Sequence, residues 1–136
     1  MDLFEQIRAR LADRPEILFA TVFGSQATEK SRSNSDIDIG VFLQENLSAG
    51  ERFDKRRELS TELEDLGKVD VVVLNDVPSL LGHRALMGRQ LIMRDRKAYV
   101  RYFVRTLAAS EDERYWREIH ATERKRRLEE GTFGRP

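Results

Sequence analysis

The chain has 136 residues, 40% hydrophobic and 35% charged, which is enough for one domain with a real core and too short for a second sizeable one. Its 24 basic and 24 acidic residues cancel, so no direct nucleic-acid binding is expected, and a polymerase or repressor working through phosphate contacts is disfavoured. Cysteine is absent, which excludes disulfides, thiolate zinc and thiol nucleophiles. No apolar run reaches membrane-spanning length and the N-terminus lacks a signal-peptide core, so no membrane partner is expected and the cytoplasm is the expected compartment.

Leu3, Ile7 and Leu11 recur at four-residue steps and predict a helix over 2–13, ended by Asp13-Arg14-Pro15. Residues 17–23 are apolar apart from Thr21 and read as a buried strand. A short helix over 25–30 and a polar loop over 30–35 follow, then a second apolar, β-branched strand from Ile37 to Leu43. After a loop over 44–50, a helix is expected from Glu51 to Leu66 with Phe53, Leu59, Leu63 and Leu66 on one side, capped by Gly67. Strand three runs from Val69 to Leu74, and a crossover helix lets strands two and three pair in parallel.

Pro78 suits the first turn of a short helix over 79–87 that Gly88 closes. Residues 90–93 read as a short edge strand. From Asp95 the chain is helical again, with Val100, Phe103, Val104 and Leu107 as the expected core stripe. Ser110 and Glu113 fit a capping box that starts a new helix or interrupts a long one. Beyond it the helix is mostly polar, and the tail 131–136 is expected to be disordered.

The chemistry concentrates in residues 23–42. Gly24-Ser25 leaves the first strand, and after ten further residues Asp36-Ile37-Asp38 opens the second. Strand side chains alternate, so Asp36 and Asp38 share a face. Two bare carboxylates about 4 Å apart repel by roughly 4 kcal/mol at an effective dielectric of about 20. A cation, a proton or water must relieve that, and a hard divalent cation such as Mg²⁺ fits best, since it takes carboxylate and phosphate oxygens. Gly24 permits close backbone approach to a ligand, and Ser25 can cap a helix start whose free N–H groups attract an anion. Metal carboxylates facing an anion cradle point to a nucleoside triphosphate.

This pattern resembles the DNA polymerase β-like nucleotidyltransferase superfamily, whose signature is Gly-Ser, a spacer, then Asp-x-Asp. The family's third carboxylate is matched by Asp70 in Lys68-Val69-Asp70-Val71-Val72-Val73-Leu74. At this length the chain is most similar to the minimal nucleotidyltransferases, among them the MntA antitoxins paired with HepT toxins. The resemblance covers about Phe19 to Phe103. It implies an α/β (α+β) fold: a small mixed sheet flanked by helices, with a helical C-terminal extension. The chain is read as a nucleotidyltransferase domain at 1–108, a helical extension at 109–130 that could dock a partner, and the tail.

The resemblance also implies roles. Asp36, Asp38 and Asp70 would ligate two Mg²⁺ ions and act in catalysis, and Gly24, Ser25 and Ser35 would bind ATP as substrate. The acceptor would be a tyrosine of a HepT-like toxin ribonuclease, held in a hetero-oligomer and neutralised by AMP. The alternatives are a small-molecule transferase of the aminoglycoside-modifying kind and an antitoxin that acts by binding alone. One departure stands out: Thr28 and Glu29 replace an Arg-Gly pair common in the family, which removes a cation near the phosphates. Lys30 or Arg32 could supply it.

Tyr115, Trp116 and Ile119 are apolar residues on an otherwise polar helix and form a candidate docking patch, with packing back on the domain as the competing reading. Arg84, Arg89, Arg94 and Arg96 flank the predicted edge strand as candidates for ATP or a partner, against plain solvated charge. Lys97, Arg101 and Arg105, and the run 124–127, read as solvated helix faces. His83 and His120 read as surface or packing residues, and Tyr99 and Tyr102 as core or interface.

Overall fold

The computed structural model describes residues 1–24 and 37–129, without the side chains at positions 113, 115, 116, 119, 123, 127 and 129. The elements run α1 (Leu3–Ala12), β1 (Ile17–Phe23), β2 (Ile37–Leu43), α2 (Ala49–Leu63), β3 (Val69–Val73), α3 (Ser79–Leu86), β4 (Arg89–Met93) and α4 (Arg96–Glu129). The strands form one four-stranded sheet in the order β3-β2-β1-β4. β1 is antiparallel to both β2 and β4, and β2 is parallel to β3 across the α2 crossover.

Each face of the sheet carries its own core. On one side, Ile7 and Leu11 of α1 and Leu59 and Leu63 of α2 pack on Ile39, Val41, Leu43, Val71 and Val73. On the other, Ala85 and Leu86 of α3 and Ala98 and Tyr102 of α4 pack on Phe19, Phe42 and Leu74. A register shift between Ile17 and Phe19 re-phases β1, so that Ile17 faces the first core and Phe19 the second. Phe19 stacks on Phe42 at 4.9 Å, and Tyr99 meets Phe19 edge-on at 5.2 Å. The buried Tyr102 hydroxyl donates to the Leu74 carbonyl at 2.8 Å, and burial pushes the phenol up to about 12. Both tyrosines thus belong to the core side of α4.

The helix phases differ from the sequence pattern in two places. Val100, Val104 and Leu107, expected in the core, are exposed, at 46%, 59% and 38%. The buried face of α4 is instead Ala98, Tyr102 and Thr106, because small residues let the helix sit close over the aromatic cluster. Phe53 of α2 is likewise exposed, at 53%, while Leu59 and Leu63 are fully buried. α2 also starts earlier than its apolar pattern indicates: Ser48 and Glu51 form a capping box, with the Glu51 amide donating to Ser48 Oγ at 3.1 Å. Ser110 and Glu113, with the same spacing, lie inside the unbroken α4.

Gly88, between α3 and β4, fixes how closely that connection approaches the sheet. A Cβ there would stand 2.0 Å from the backbone oxygen of Val22, which the β1 ladder holds in place. Gly88→Ala is expected to lower stability by about 2 kcal/mol, the range for overpacking against an immovable neighbour. A thermal melt beside wild type would check it, and an unchanged Tm would show that the connection relaxes freely.

Candidate active site

The parallel pairing of β2 and β3 does the first part of the assembly. Asp38 is the register partner of Asp70, and on its other side of Phe23. Ile37, Ile39, Val69 and Val71 all turn toward the α1/α2 core, so alternation sends Asp38 and Asp70 to the opposite face. There Asp38 is half-buried and Asp70 exposed. The last residues of β1 and the first of β2 and β3 thus meet at one end of the sheet.

Gly24 completes the arrangement. It adopts φ +79°, and a Cβ on it would fall 2.2 Å from Asp38 Oδ2. The turn that leaves β1 therefore lies directly against the Asp38 carboxylate, a space that only hydrogen at Cα can share. Two carboxylates side by side on adjacent strands, with a bare backbone against one of them, suit a hard cation with oxygen ligands. Among the described residues no group of three candidate ligands occurs; Asp36, Ser25 and Ser35, together with Thr28, Glu29, Lys30 and Arg32, lie outside the described residues. The side chains of Tyr115, Trp116 and Ile119 lie outside them too, on a stretch where the α4 backbone is continuous.

A cleft of about 390 Å³ opens beside Asp38, lined by Phe23, Gly24, Asp38, Leu81, Arg84, Met87 and Gly88. Leu81 and Met87 form an apolar wall, with Met87 60% exposed. Arg84 is the cation on that wall. The structure separates the four arginines that the sequence groups together. Arg94 is structural: its guanidinium donates to the Arg14 and Ala12 carbonyls at 2.9 Å each and also to that of Ile17, tying the α1–β1 turn to the end of β4. Arg89 stacks over the Phe4 ring at 4.8 Å. Arg96 is exposed on α4, and only Arg84 lines the cleft. His83 packs, as the sequence reading has it, with Nδ1 3.3 Å from Thr106 Oγ1 and its ring 5.5 Å from Phe103.

Leu81 and Met87 carry no site signal of their own in the sequence, and Gly88 reads there only as the end of a helix. The signal that could have placed them is topological. α3 follows β3 and delivers the chain to β4, whose Arg89 pairs with Val22 at the Gly24 end of β1. The C-terminal end of α3 must therefore return to the carboxylate end of the sheet.

A mixed sheet with acidic residues gathered at one end, bracketed by helices on both faces, is a nucleotidyltransferase architecture. The family model "Polymerase beta, Nucleotidyltransferase" matches residues 5–97, and the chain belongs to that family. Its class of chemistry is therefore nucleotidyl transfer. No curated protein matches the chain at the sequence level. Among solved structures it is similar to a toxin–antitoxin with AMP-PNP, at TM-score 0.66 and 23% identity, over 88% of this chain and 96% of that one. It is also similar to a toxin–antitoxin MntA–HepT structure, at TM-score 0.61 and 22% identity, over 89% and 95%. A third is the tri-AMPylated Shewanella oneidensis HEPN toxin in complex with MNT antitoxin, at TM-score 0.62 and 18% identity, over 88% and 97%. At these identities the likeness carries the fold. Among the described residues no helix is long and apolar enough to cross a membrane.

Proposed function

We propose that this chain is an antitoxin that transfers AMP from ATP to a tyrosine of a HepT-type toxin and so neutralises it. The observation that carries the reading is the side-by-side placement of Asp38 and Asp70 with the Gly24 backbone against the first. The toxin–antitoxin complexes among its structural relatives, one with AMP-PNP and one with an AMPylated toxin, support the choice of nucleotide and acceptor.

Asp38 and Asp70, with Asp36, would hold Mg²⁺, which when bound neutralises the triphosphate and acidifies the acceptor hydroxyl. The chain's own residues do the rest. Gly24 leaves room for a phosphate beside Asp38, and Leu81 and Met87 offer the nucleoside an apolar wall. Asp70, exposed at the outer strand, takes the proton of the tyrosine hydroxyl as its oxygen attacks the α-phosphorus. The bond from that phosphorus to the bridging oxygen breaks, and pyrophosphate leaves with the electron pair.

Arg84 replaces the cation lost at Thr28 and Glu29, reaching the polyphosphate from α3. Arg84→Ala is therefore expected to raise KM for ATP about tenfold, ~1.4 kcal/mol, with Arg84→Lys recovering part of it. Steady-state kinetics at saturating acceptor reads this, and an unchanged KM would remove Arg84 from the site. The test of the function itself is intact-mass spectrometry of the adjacent-gene product after incubation with this chain, ATP and Mg²⁺. AMP adducts are expected on a tyrosine. A stable complex without adducts would leave binding alone as the mechanism.

A further inference from the structure

The side of α4 turned away from its own domain is apolar at its centre. Val100, Val104 and Leu107 are exposed there, and so is Ala108. At about 3.6 residues per turn, Val104 lies across the helix from the buried Tyr102 and Thr106. Single exposed aliphatic side chains are ordinary, but a contiguous run on one helix face marks a contact surface. The described side chains of α4 past Ser110 are all exposed, so the far half of the helix is open to a second surface.

The charges around the run indicate what covers it. Arg96 and Lys97 lie about two turns before Val104, and Glu111 and Asp112 about two turns after it. All four are exposed, and none makes an ion pair among the described residues. No acidic residue precedes Glu111 on the helix. The face is thus cationic at one end and anionic at the other, at equal distances from its apolar centre. A second helix of the same sequence, laid antiparallel, meets it with the matching group at each level. Val104 meets its own symmetry mate, Val100 meets Ala108, Lys97 meets Glu111 and Arg96 meets Asp112. Arg101 falls opposite Leu107, where its aliphatic stem covers the leucine while its head stays with Glu45, 3.5 Å away. Such reciprocity, in which each residue pair occurs twice, is the requirement of a two-fold interface. A membrane surface fits poorly, because anionic lipid repels Glu111 and Asp112 on the same face.

We propose that α4 pairs with α4 of a second copy of this chain, antiparallel and two-fold about Val104. The inference is independent of the transferase reading.

Sedimentation of the whole chain, at concentrations up to about 200 µM, is expected to show a dimer. Val104→Glu sets two carboxylates on the axis and is expected to raise the dimer Kd at least about hundredfold. Val104 is exposed, so the fold survives the change, and a circular-dichroism melt checks it. Lys97→Glu and Glu111→Lys are each expected to weaken the dimer about tenfold, and the double variant to return it to within about threefold of wild type. The absence of cysteine allows a check of the register. With an added oxidant, Val104→Cys is expected to form a disulfide across the axis. Val100→Cys alone is not, because the two copies of position 100 stand about 12 Å apart along the helices. A mixture of Val100→Cys and Ala108→Cys chains is expected to cross-link to each other. A monomer across the whole range overturns the pairing, and loss of toxin binding in Val104→Glu would then assign the face to the toxin. A dimer that survives Val104→Glu, a charge-swapped double variant that does not recover, or equal cross-linking from positions 100 and 104 also overturns it.

Discussion

Replacing Asp38 with asparagine is expected to lower nucleotidyl transfer by about 10³-fold or more, roughly 4 kcal/mol of transition-state stabilisation, while the fold stays intact. Asp38 sits on the inner strand β2, between Phe23 on one side and Asp70 on the other. Asparagine keeps the volume that meets Gly24 and removes only the charge. Asp38 and Asp70 are register partners on adjacent strands, so a divalent cation would bind between their carboxylates. The same change predicts that added Mg²⁺ raises the Tm of wild type and not of the variant. Single-turnover transfer and thermal melts with and without Mg²⁺ read both effects. A variant within tenfold of wild type would remove Asp38 from the metal-binding role.

Much of this site is visible in the sequence because its logic is local. Strand alternation alone sets the side on which Asp38 lies, and the length of the connection between β2 and β3 leaves room for the helix that makes them parallel. That parallel register then brings Asp70 beside Asp38 without further help. The helices were harder to phase. In α4 the spacing of Val100, Phe103, Val104 and Leu107 is an ideal apolar stripe, yet the face that packs is Ala98, Tyr102 and Thr106. The choice is made by Phe19 and Phe42 on the sheet, and the phase of Phe19 depends on an irregularity in β1 that no local pattern announces. The two capping-box sequences make the same point. Ser48 follows a polar loop and caps α2, whereas Ser110 follows Leu107-Ala108-Ala109, strong helix formers that carry α4 straight through it. Arg84 and Arg94 look alike in the sequence, and only tertiary placement makes one a cleft residue and the other a clamp on three carbonyls.

Gly24→Ala is expected to cost about 10²-fold in transfer and only 1–2 kcal/mol in stability. The two numbers come from different parts of one substitution. The stability loss is the strain of an L-residue at φ +79°. The catalytic loss follows from contact with Asp38, whose Oδ2 would stand 2.2 Å from the new methyl and must move by about 1 Å to clear it. A displacement of that size at a metal-ligating carboxylate is enough for a 10²-fold effect, while the carboxylate itself turns aside easily, so the sheet is not disrupted. Gly67→Ala separates the two terms. Gly67 also has positive φ, +119°, but nothing lies within 4 Å of the position its Cβ would take. It should therefore lose at least as much stability, about 1–3 kcal/mol, with transfer unchanged per folded molecule. Paired melts and transfer rates, taken well below either Tm, decide the matter. If both variants lose activity in proportion to stability, the contact between Gly24 and Asp38 has no catalytic role. If Gly24→Ala alone loses transfer, the turn leaving β1 sets the carboxylate's position, and the Gly-Ser signature is a device for placing Asp38 as well as for admitting a phosphate.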